Sequence, residues 1–234
     1  MSRPSVVFAS GQLLTEAVWA PQMTALAPAC DLIHADHTQD DTIAGMAMRL
    51  MEAAPPRFHL VAHAMGGFAA FEVMRWAPES VRSLVLIATL APNDGPAQTE
   101  RRQGYIRLVE AGRFDEVVEE RIPILVHPDR RGDDELLAVV RRMASDTGAE
   151  TFLRQQRAIM SRLDSRPSLA AIKVPTLLIR GDADGITTEA HQAEMLAGIA
   201  GARLEVIPDC GHLPTLERPD QTNQLLIRWL DERL

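Results

Sequence analysis

Six short runs rich in valine, isoleucine and leucine set the first limit on what this chain can become. They lie at Ser5 to Ala9, Asp31 to Ala35, Phe58 to His63, Arg82 to Thr89, Thr176 to Arg180 and Arg203 to Pro208. None shows the polar alternation of a strand with one wet face, so each reads as a strand covered on both faces. Segments of helical period stand between them, at Glu16 to Ala27, Asp41 to Ala53, Met65 to Trp76, Glu189 to Ile199 and Pro219 to Leu234. Strand and helix in alternation imply an α/β architecture, a mainly parallel sheet with helices on both faces. A chain of 234 residues with 46% hydrophobic content is long enough for one large core.

One connection breaks the alternation. From Leu90 to about Lys173 only amphipathic helical stretches occur, among them "TERRQGYIRLVEAG", "DDELLAVVRRMASDTG" and "ETFLRQQRAIMSRL". Residues 90–173 therefore read as a helical insertion on a core made of residues 1–89 and 174–234. Open parallel sheets bind ligands outside the carboxyl ends of their strands, so this insertion is expected to form a lid or one wall of the pocket.

The formal net charge of −8 argues against a nucleic-acid partner, which needs clustered Lys and Arg. The pairs Arg101-Arg102, Arg130-Arg131 and Arg141-Arg142 are interleaved with Asp and Glu and read as solvated helix faces. Two cysteines, Cys30 and Cys210, are too few for a disulfide framework and lack metal-ligand spacing. With no basic leader and no apolar run near twenty residues, neither a membrane nor a metal is expected, and a cytoplasmic setting is.

The chemistry gathers at strand ends. In "FHLVAHAMGGFAAFEVM", Phe58 to Met74, a strand passes through a tight turn straight into a helix. A nucleophile elbow has this form, with a reactive side chain at the bend and small residues two positions to either side. Ala62 and Gly66 hold those flanking places, and Ala64 holds the tip. The N–H of Met65, opening the helix, would face a developing oxyanion. In "LLIRGDADGIT" an acid just past a strand can reach sideways to a histidine, and spacing favours Asp184 over Asp182; taken alone, both also read as turn or capping aspartates. His212 follows the last strand in "IPDCGHLPTLERPD".

With "VVFASG", "AHAMGG", "GDADGIT" and "DCGHLPTLERP" in this order, the chain resembles the α/β-hydrolase superfamily over essentially its full length, and within it the short bacterial carboxylesterases and enol-lactone hydrolases. The resemblance implies that Ala64 stands at the nucleophile's place, Asp184 at the acid's and His212 at the base's. It puts Ser10-Gly11 where a His-Gly pair is usual, leaving the N–H of Gln12 as the second oxyanion donor beside Met65. The usual hairpin before the first parallel strand has no counterpart, so a sheet of about six strands is expected. The activity implied is hydrolysis of a small-molecule carboxylic ester without a cofactor; lactone, carbon–carbon and amide hydrolysis stay open on the same fold.

Alanine supplies no attacking atom. Either serine belongs at position 64 and the chain carries Ser→Ala, or the protein has given up hydrolysis for binding; retention of Asp184, His212 and the small flanking residues favours the first. For the substrate pocket, Trp19 is a candidate, with a core role as its alternative. The stretch "QQRAIMSRLDSRP" offers Arg157 to a substrate carboxylate and Met160 to the pocket wall, against the alternatives of a solvated arginine and a gap-filling methionine.

Overall fold

The central strands carry residues that leave no polar face, and successive side chains go to opposite sides. The computed structural model describes residues 3–233. Its strands are β1 (Ser5–Ala9), β2 (Asp31–Ala35), β3 (Phe58–His63), β4 (Val81–Ile87), β5 (Thr176–Gly181) and β6 (Arg203–Ile207). They form one sheet in the order β2-β1-β3-β4-β5-β6, parallel throughout. Val7, Leu60 and Leu84 pack into the core on one face, Val6, Phe8, Val61 and Val85 into that on the other. The six-stranded parallel sheet is the one the sequence implied. The outermost strands depart from that reading: Leu32 and Ile33 of β2 are half-buried and Val206 of β6 is exposed. Each of these strands has a neighbour on one side only.

The helices are α1 (Ala20–Leu26), α2 (Ile43–Ala53), α3 (Met65–Trp76), α4 (Pro96–Glu110), α5 (Phe114–Leu125), α6 (Asp134–Met160), α7 (Glu189–Gly198), α8 (Pro214–Glu217) and α9 (Pro219–Asp231). Met46 of α2, Phe71 of α3 and Met195 of α7 bury against one face of the sheet. Leu26 of α1 and Leu226 and Trp229 of α9 bury against the other. Helix α2 begins two residues later than its periodicity suggests because Thr42 caps it, its hydroxyl accepting the Gly45 N–H at 3.0 Å. The segment Glu16 to Ala27 divides into a 3-10 turn (Glu16–Trp19) and α1, with Pro21 in the first turn of α1. Helix α9 stops at Asp231, and Leu234, assigned to it from sequence, lies outside the described residues.

Between β4 and β5 run α4, α5 and α6. Tyr105, Val117, Val118, Ala144 and Phe152 form a small core of their own, joined by Leu13 from the loop after β1. The two helical stretches read before and after Gly148 abut there, where φ 78° and ψ 167° interrupt α6. Among the described residues, no helix is long and apolar enough to cross a membrane.

Candidate active site

Strand β3 runs into α3 with only Ala64 between them. Ala64 has φ 48° and ψ −112°, a conformation that costs a residue bearing a Cβ ~1–3 kcal/mol. Its N–H donates to the Ile87 carbonyl at 2.9 Å, and its carbonyl accepts the Gly67 N–H at 2.9 Å and the Thr89 hydroxyl at 2.7 Å. A Cβ at Gly66 would run into the Ala9 carbonyl of β1, which is why the turn needs a small residue there. Leu13, Ala88 and Asp209 are also left-handed. They follow β1, β4 and β6, so backbone strain gathers at the carboxyl end of the sheet.

Asp184 lies just past β5 and is almost wholly buried. Its Oδ1 accepts the N–H groups of Ile186 at 2.8 Å and Thr187 at 3.0 Å, while Oδ2 accepts the Thr187 hydroxyl. The same Oδ2 accepts Nδ1–H of His212 at 2.9 Å. Burial pulls the carboxyl upward, but His212 and these hydrogen bonds outweigh it and hold the group well below the usual carboxylate range. An ionised carboxylate only accepts, so Nδ1 carries a proton, and the imidazole it belongs to lines the cavity. Asp182 takes the turn role instead, its Oδ1 accepting the Cys210 N–H at 3.0 Å.

The histidine loop is fixed by groups that the sequence reading missed. Buried Glu217 accepts the N–H groups of Gly211 at 2.9 Å and Leu213 at 3.2 Å with Oε1, and that of His127 at 2.7 Å with Oε2. The His212 N–H donates to the Leu125 carbonyl at the end of α5 at 2.9 Å. The His212 carbonyl accepts Nε2–H of His63 at 2.8 Å. Burial, then the neighbouring His212, hold the His63 pKa down to about 3, so it is a neutral donor. Burial pushes the Cys210 thiol far upward, which makes it a poor nucleophile.

The loop after β1 lies against the elbow: a Cβ at Gly11 would sit 3.1 Å from the Ala64 methyl. Among the described residues, the backbone N–H groups of Gln12 and Met65 find no protein acceptor. Trp19 does not line the pocket. It is fully buried, its ring 4.9 Å from Phe8, and its indole N–H donates to Ser10 Oγ at 2.9 Å, which anchors this loop from behind. Gln155 of α6 holds the loop from the other side, accepting the Leu13 N–H at 3.1 Å and donating to the His37 carbonyl at 3.2 Å.

Ala64, Met65, Gln12 and His212 open onto a cavity of about 590 Å³ whose opposite wall comes from α4, α5 and α6. Arg157 and Met160 are absent from it; Arg157 is exposed and Met160 half-buried. Gln156, Ile159 and Arg162 line it in their place. The phase of α6 decides this, since residues 156 and 159 share a face from which 157 and 160 are turned about 100°. Arg102 corrects the reading of a solvated arginine pair: it lines the cavity, bound to Asp94 at 2.5 Å and to Gln156 Oε1 at 3.0 Å. Nothing local in the sequence marks that contact. Among the described residues, no cluster of three or more His, Cys, Asp or Glu could hold a metal ion.

Comparison with known proteins places this geometry in a family. A protein named as a carbamate hydrolase, RutD, of Azorhizobium caulinodans is 28% identical over 234 aligned residues, covering 92% of this chain and 86% of that one. The 3-oxoadipate enol-lactonase 1 of Acinetobacter baylyi is 26% identical, covering 95% and 86%. A thermophilic esterase from Thermogutta terrifontis, solved with malate bound, superposes with a TM-score of 0.90 at 25% identity, covering 99% of this chain and 90% of that one. Residues 6–225 match the model of the "Alpha/beta hydrolase family", and the chain belongs to that family.

Proposed function

We propose that the catalytically competent form of this protein carries serine at position 64 and hydrolyses a carboxylic ester of a small molecule through an acyl-enzyme. The Asp184–His212 pair carries this reading, with Nδ1 bound to the carboxylate at 2.9 Å and the imidazole on the same cavity as Ala64. The serine oxygen attacks the ester carbonyl as His212 Nε2 takes its proton, and the N–H groups of Gln12 and Met65 hold the oxyanion. The tetrahedral intermediate collapses, the ester C–O bond breaks, and the alcohol leaves with the proton from His212. Water, deprotonated by the same nitrogen, then cleaves the acyl-enzyme to acid and free serine. With Ala64 the chain binds such a substrate without turning it over. The relatives named as carbamate hydrolase and enol-lactonase support a hydrolase and keep carbamates and lactones beside esters in the panel to be tried.

The experiment is Ala64→Ser, assayed on activated short-chain esters, lactones and carbamates. Restoring the nucleophile is expected to raise turnover by on the order of 10⁶. Ala64 itself favours a second reading, a binding protein on a hydrolase scaffold. A folded Ala64→Ser protein without activity on any of the three classes would decide for it.

A further inference from the structure

A protein of net charge −8 gathers four arginines, Arg101, Arg102, Arg121 and Arg162, on the wall of a single cavity, with Asp94 as the one acid among its described lining residues. Asp94 is already engaged twice, by Arg102 at 2.5 Å and by Arg162 at 2.9 Å. Burial, and then the charges of Arg102 and Arg101, hold the Arg121 guanidinium down to about 10 against the opposing pull of Tyr105.

The hydrogen-bond balance points the same way. Arg121 Nη1, Gln156 Nε2 and Arg162 Nε are shielded from solvent and have no partner among the described residues. The amide of Gln156 is oriented by Arg102, which can only donate and does so to Oε1 at 3.0 Å, so the stranded atom is a donor. Among the described lining residues, no side-chain acceptor is stranded in the same way. Buried donors without partners are costly, and with four guanidiniums against one carboxylate among its described lining residues the cavity suits an anion.

We propose that this wall is a carboxylate subsite: besides the carbonyl presented to position 64, the substrate bears a free carboxylate held by the guanidiniums of Arg121 and Arg101. Asp94 keeps Arg102 and Arg162 in place rather than meeting the ligand. The inference rests on the hydrolase reading only for where the scissile carbonyl lies.

The Ala64 chain is suited to the test because it does not consume its ligands. By calorimetric titration, the monomethyl esters of succinate, glutarate and adipate are each compared with their dimethyl esters. Acetoxyacetate against its methyl ester places the carboxylate on the leaving side instead. At least one carboxylate-bearing probe is expected to bind about tenfold more tightly than its neutral partner, with the advantage shrinking as salt is raised. Arg121→Gln, and Arg101→Gln as a second variant should the first misfold, are expected to reduce that ratio at least about fivefold. A series in which no carboxylate is preferred, or a ratio that survives both substitutions, overturns the subsite. Turnover by Ala64→Ser on a neutral ester is read separately, so a failed subsite and a failed hydrolase reading are told apart.

Discussion

Asp184 and Asp94 are both buried carboxylates beside the same cavity, yet they are compensated in opposite ways. Asp184 is met by backbone and hydroxyl donors from Ile186 and Thr187 and by one imidazole. That surrounding holds a single negative charge with aimed dipoles and leaves the far nitrogen of the imidazole free. Asp94 is met by two guanidiniums, and two more arginines line the same cavity with no ion pair among the described residues. The first arrangement is complete without a ligand, as the proposed proton-transfer role requires before substrate arrives. The second remains positive and short of acceptors, which is the condition of a binding wall waiting for its anion.

This contrast can be broken in several places. In the Ala64→Ser protein, adding Asp184→Asn is expected to lower turnover by on the order of 10⁴, because the amide can leave His212 in the wrong tautomer; initial rates with an activated ester decide it, and a loss under tenfold would remove Asp184 from its role. Next in size, Asp94→Asn strips two buried guanidiniums of their counter-charge and should cost about 3 kcal/mol, read from urea unfolding.

Acid sharpens the comparison further. His37 and His63 are buried, and burial holds their pKa values down to about 4 and about 3. Below about pH 6.5 the unfolded chain takes up protons at these positions that the folded one refuses, so stability falls as pH falls. The expected slope is about 1.4 kcal/mol per pH unit for each, flattening near pH 4 for His37 and pH 3 for His63. Asp184, depressed rather than raised, supports the fold above the unfolded carboxylate value and gives way only below about pH 4. Urea midpoints measured from pH 7 to pH 4 test the histidine contribution. The smallest effect belongs to Arg157→Ala: exposed and off the cavity, it should shift stability by no more than about 0.5 kcal/mol and leave probe binding unchanged.

What was legible in the sequence is what contiguous residues impose. The elbow requires small neighbours within five positions, and Ala62, Ala64 and Gly66 supply them in a row. The strand runs were legible because burial on both faces leaves a mark on every residue, except at β2 and β6, where position at the sheet edge, a property of the assembled sheet, relaxes it. The cap-side wall left no such mark. Arg102 of α4 finds Gln156 of α6 along that wall, and whether residue 156 or 157 faces inward depends on the phase of a helix broken at Gly148. Trp19 misled for a related reason: a tryptophan beside a site can as well support a loop from below as face a ligand.

The main chain of His212 is anchored on either side of its imidazole, through its N–H to Leu125 of α5 and through its carbonyl to His63 of β3. A roof that opened by swinging α5 outward would therefore pull on the proton acceptor as it parted from the sheet. In the proposed hydrolase such a hinge would draw the base out of register whenever the door stood open, whereas an opening on the α4 side would leave it in place.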